Sequence, residues 1–181
     1  MNEIELIRTQ LSVERQHATA VARACASVLG GAVDLQAFRA TSVEYLAWIL
    51  SRFEAREQVF HDLLRKRFTA EDPHRRAVEA ALALPGSNRE VLAKLEAALG
   101  VSPDDQSTSR RWQEFLHVFS GPWSTRSDEI DRLFQKHTKV TDWRTISAID
   151  ADSIVAERTR WARVAATMPA DTEPSSNTTR V

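Results

Sequence analysis

Three glutamates stand in helical seams where leucine is expected. One run reads Ile4, Ile7, Leu11, Glu14, Ala18, Val21, Cys25, Val28. A second reads Val43, Leu46, Leu50, Phe53, Glu57, Phe60, Leu64. A third reads Ile154, Glu157, Trp161, Val164, Met168. Spacing of three and four keeps every member of a run on one helix face. A carboxylate on such a face is costly unless a cation, a metal ion or hydrogen bonds satisfy it. Two chemistries follow. The glutamates bind metal together with nearby histidines, or they pair with Arg15, Arg52 and Arg56, which neighbour them in sequence.

The metal reading depends on register. If the second helix starts at Ser42, antiparallel packing sets Glu14 level with Glu57 and His17 level with Glu54. Glu14-x-x-His17 then faces Glu54-x-x-Glu57, four ligands at one level. If that helix starts near Asp34 instead, Glu14 and Glu57 part by about 10 Å along the axis, from 1.5 Å of rise per residue. His61, His137 and Glu157 are further candidate ligands. The ion-pair reading uses the same glutamates as a buried polar layer.

The elements that position these residues are helices. The chain has 181 residues, 43% hydrophobic and 27% charged, with five glycines and six prolines falling between periodic segments. The pattern predicts helices over 3–29, stopped by Gly30 and Gly31, and over 42–69. The second starts at a capping-box sequence, Thr41-Ser42-Val43-Glu44. Asp72-Pro73 opens a third helix to Leu84. Ser87 or Asn88 caps a short one to Leu99. Others cover 109–120 and 127–140. Residues 141–168 are helical, either interrupted near Asp150 or continuous; the unbroken pattern from Trp143 argues against a connection centred near 147, which His137 and Glu157 would need to come level. The expected fold is all-α, an antiparallel bundle of four main helices plus short ones, in one domain over 1–168. The polar stretch 169–181 reads as a disordered tail.

A helical bundle with Glu-x-x-His on one helix and carboxylates on its neighbour resembles ferritin-like di-iron proteins. With His17 and the acidic EAREQVFHDLL segment it is also similar to hemerythrin-like proteins. The resemblance covers about residues 1–140. It implies one or two irons between helices, for oxygen binding, oxygen activation or iron handling. The one further Glu-x-x-His, Glu114 with His117, points away from the aromatic face of Trp112, Phe115, Leu116 and Phe119 on its own helix.

Composition narrows the other classes. A formal net charge of −1 gives no basic field for nucleic acid or an anionic membrane. No apolar run nears the roughly 20 residues that span a bilayer. The first residues, MNEIELIRTQ, lack the pattern of a secretory signal, so the expected location is cytoplasmic. Cys25 stands alone and falls on a seam, a packing position. No phosphate-binding glycine loop, nucleophile elbow or Cys-x-x-Cys occurs. The class that competes with metal binding is a non-enzymatic interaction or regulatory bundle, a homodimer or the mate of a protein partner.

Overall fold

The structure, a computed structural model, describes residues 3–28, 36–82, 93, 96–97, 110–117 and 138–169. Five helices are bounded within them: α1 (Glu3–Val28), α2 (Gln36–Arg67), α3 (Pro73–Leu82), α4 (Val140–Ser147) and α5 (Ala151–Thr167). Residues 110–117 are helical as well, and no strand occurs among the described residues. The fold class is all-α. Most of the helices expected over 87–99 and 127–140, and the tail beyond 169, lie outside the described residues.

The start of α2 differs from the sequence expectation. The helix begins at Gln36, six residues before Ser42. Thr41 therefore has no orphan N–H groups to cap. Its hydroxyl turns back to the carbonyls of Ala37 at 3.0 Å and Phe38 at 3.1 Å, as a threonine inside a helix does. It also meets the Thr167 hydroxyl at 2.8 Å, and Ser42 is buried. The capping-box sequence is spent inside the helix. The early start does not shift the register of α1 on α2: Glu14 meets Arg56, the residue next to Glu57.

One other start follows the sequence, and a second is new. Asp72 caps α3, its carboxylate accepting from the His74 N–H at 2.8 Å, with Pro73 in the first helical position. Asp150 caps α5: its carboxylate accepts from the Ser153 N–H at 2.7 Å, and the Ser153 hydroxyl accepts from the Asp150 N–H at 3.0 Å. The pattern from Trp143 is therefore not continuous: one helix ends at Ser147 and a new one starts at Ala151. Ala148 closes α4 in the left-handed region at φ 46°, donating its N–H to Arg144 O. Val140, expected to end a helix, begins α4.

The long helices run in opposite directions where they pair. Low-numbered Ile7 and Leu11 of α1 join Phe60, Val59 and Leu63 of α2, while Ala18 to Cys25 join Phe38 to Phe53. α5 crosses α2 in the same sense, with Thr167 at Thr41 and Glu157 at Tyr45. α4 sits at the other end, where Arg144 bonds Glu3 of α1 and Arg67 bonds Asp142 at 2.6 Å.

The buried side chains form two separate clusters. The larger contains Ala18, Val21, Leu46, Ile49, Leu50, Trp112, Phe115 and Val164. The smaller contains Ile7, Phe60, Trp143 and Ile146. Full burial of one large aliphatic or aromatic side chain stabilises by about 1.5–3 kcal/mol, so these clusters dominate the cohesion of the helices. Between them, in chain order along α1 and α2, fall Glu14 and Arg56.

Candidate functional site

The charged layer begins at Glu14, which is 0% exposed. It follows Leu11, packed against the smaller cluster, and precedes Ala18 of the larger. Its Oε2 accepts from Arg56 Nη1 at 2.5 Å, and its Oε1 lies 3.7 Å from Arg52 Nη2. Arg56 is 8% exposed and donates from Nε to the Ser147 carbonyl at 2.5 Å. Arg52 donates to the next carbonyl, Ala148 O, at 3.1 Å. These two carbonyls end α4, where carbonyls lack helical partners. One pair of arginines therefore ties α1, α2 and the end of α4 together. Charge-assisted bonds of this kind are short and strong.

The second half of the layer centres on Glu157 of α5, also 0% exposed. Its Oε1 receives two contacts, from His17 Nδ1 at 2.7 Å and from the Tyr45 hydroxyl at 2.9 Å. The His17 ring stacks on Trp161 with centroids 4.0 Å apart and planes 2° from parallel. Trp161 in turn meets Tyr45 edge-on. Burial, and then the charge of Glu157, push the Tyr45 phenol far up, so it remains a protonated donor. With Nδ1 on a fully buried oxygen and one face under Trp161, His17 keeps a side chain 25% exposed.

Aromatic rings complete the surroundings. Trp48 has Arg52 5.0 Å and Arg160 4.7 Å from its ring centroid, both within cation–π range. Arg56 lies 5.9 Å from the Phe53 ring. Burial, and then the charge of Arg56, lower the Arg52 pKa from its usual value, while Glu14 opposes that shift. The layer is locally balanced: two buried carboxylates stand against the guanidiniums of Arg52 and Arg56.

The candidate residues separate accordingly. Glu14, His17 and Glu157 join the layer. Glu54 and Glu57 are half-buried and are not among the fully buried polar residues. His61 belongs to α2, but its side chain lies outside the described structure, as does His137. Sequence reasoning assigned the α2 seam to Glu57; the buried position belongs to Arg56. Both choices satisfy the spacing, because Phe53 to Phe60 can be bridged by steps of three and four in either order. A carboxylate facing Glu14 would repel it, whereas a guanidinium attracts it.

Tyr45, Trp161 and Ser147 are members that the sequence did not single out for this role. Tyr45 had a legible signal: Tyr45, Ile49, Phe53, Arg56 and Phe60 form one stripe at helical spacing, all buried. Ser147 had none, since it contributes a backbone oxygen. Glu157 reaches His17 because the chain breaks at 148–150 and α5 returns along α2.

Among the described residues, no group of three or more His, Cys, Asp or Glu side chains gathers to hold a metal ion. The donors of the layer differ from those of a two-iron centre. One oxygen of Glu14 is held by Arg56, and one of Glu157 is shared by His17 and Tyr45. The guanidiniums already occupy the role of the counter-charge. Among the described residues no helix is long and apolar enough to cross a membrane. Comparison with known proteins adds no relative: no family model, no curated protein and no solved structure matches the chain.

Proposed function

We propose that this chain is a non-enzymatic interaction or regulatory helical domain whose buried charged layer serves structure. One observation carries the reading: Arg56 reaches Glu14 of α1 and the end of α4 from the same guanidinium. A layer of this kind adds little net stability compared with an apolar one, since desolvation offsets attraction. Its value lies in register. Sliding α1 along α2 by one turn would strand both charges against apolar clusters. A domain that presents a helical surface to a partner, or to a second copy, needs that alignment held. The four-helix antiparallel arrangement expected from the sequence is part of the same proposal.

Iron binding, which the ferritin-like and hemerythrin-like resemblance implies, is the reading that the test opposes to this one. Purified protein is analysed for bound metal, and its visible spectrum is followed after aerobic addition of iron. The structural reading expects substoichiometric metal, no new absorption band and no change in either on Glu57→Ala. Stoichiometric iron lost on Glu14→Ala or Glu157→Ala would overturn it.

A further inference from the structure

We propose that the charged layer binds one or two internal water molecules between α1, α2 and α5. The inference rests on the structural reading above, and five atoms carry it. Glu14 Oε1 and Glu157 Oε2 are buried acceptors with no protein donor in hydrogen-bonding reach. Arg56 Nη2, Arg52 Nε and Gln10 Nε2 are buried donors with no protein acceptor. Glu14 and Glu157 are wholly buried, and Gln10 and Arg56 are more than nine-tenths buried. Gln10 stands one turn before Glu14 on α1, and Arg52 one turn before Arg56 on α2. Arg52 Nη2 lies 3.7 Å from Glu14 Oε1, and His17, three residues after Glu14 on α1, meets Glu157 at 2.7 Å, so the two halves of the layer adjoin along α1.

The chemistry of the five atoms selects the ligand. A metal cation would serve the two oxygens, repel the guanidiniums and leave every donor unmet. An anion would serve the donors and repel both carboxylates. Water donates twice and accepts twice, so it serves both kinds at no cost in charge. Leaving a buried polar atom unpaired costs about 1–3 kcal/mol, and more for a charged group. Buried waters commonly make about three hydrogen bonds to otherwise unsatisfied groups. Two waters offer four donor and four acceptor positions, enough in number for the two acceptors and three donors.

A crystal structure of the full chain, at a resolution that shows ordered solvent, tests this. One or two solvent peaks are expected about 2.7–3.2 Å from Glu14 Oε1, Glu157 Oε2 or Arg56 Nη2. In solution, oxygen-17 relaxation dispersion counts long-lived waters. That count should fall by one or two in a Glu14→Met, Arg56→Met double variant. If the double variant does not fold, Gln10→Leu is read in its place, with a loss of one water expected. Absence of the peaks, with the side chains either dry or turned onto protein partners, overturns the proposal and leaves the structural reading intact. A peak at metal–oxygen distances of about 2.0–2.2 Å overturns both.

Discussion

Replacing Glu14 and Arg56 by leucine, singly and together, separates an ion pair held for register from one that merely happens to form. Glu14→Leu leaves Arg56 nearly buried without its carboxylate, for which about 3–5 kcal/mol is the usual cost. Arg56→Leu leaves Glu14 with Arg52 alone, 3.7 Å away. It also strips a donor from the Ser147 carbonyl, adding about 1–3 kcal/mol. The double variant removes both charges at once. Its remaining cost is that carbonyl, offset by about 1–4 kcal/mol commonly gained when apolar residues replace a buried pair. The two single losses together should exceed the double loss by at least about 3 kcal/mol, after allowing for partial rescue by Arg52. The assay is urea unfolding followed by circular dichroism. With a slope near 2 kcal/mol per molar urea, a loss of 3 kcal/mol moves the midpoint by about 1.5 M. Total stability of domains this size is about 5–15 kcal/mol, so a single variant that fails to fold beside a folded double variant gives the same answer. Additive losses, with coupling below about 0.5 kcal/mol, would refute the reasoning.

Three further outcomes follow from the same structure. Tyr45→Phe deletes one of the donors to the buried Glu157 oxygen and should cost about 1.5–3 kcal/mol in urea unfolding; a change within error would mean that the phenol's bond adds nothing. Bonding to Ser153 holds the Asp150 pKa below its ordinary value, so this contribution is present above the unfolded pKa of about 4 and is lost as pH falls through the lower folded value. Asp150→Asn keeps a capping oxygen but does not titrate, so acid unfolding should become shallower below about pH 4; an unchanged slope counts against the cap. Burial pushes the Cys25 thiol up to about 12, so the native protein should resist a thiol reagent at neutral pH and react once per chain in denaturant. Fast native labelling would place Cys25 outside the core.

The resemblance to iron-binding bundles rests on residue types, and residue types do not fix which way a side chain faces. Glu14, His17 and Glu157 do come together, so the anomaly in the seams marked a true meeting place. The arginines nearby turned a carboxylate cluster into a balanced layer. Arg52 and Arg56 were visible as neighbours of the glutamates. Their reach to Ser147 and Ala148 was not, because backbone acceptors at a helix end carry no side-chain signature.

The sequence alone marked the all-α class and several helix limits. Three-four periodicity, breaks between periodic segments and the Asp72 cap are local properties, set by hydrogen bonds within a few residues. It also located the polar interruption in the seams, since a charge among apolar residues is visible at any register. Tertiary structure decided the rest. Thr41-Ser42-Val43-Glu44 has the form of a helix start, yet packing of Phe38, in the larger cluster, keeps the preceding turn helical. Steps of three and four are nearly equivalent on a helix of 3.6 residues per turn. Sequence could not choose between Arg56 and Glu57, and the negative charge of Glu14 on the facing helix made that choice.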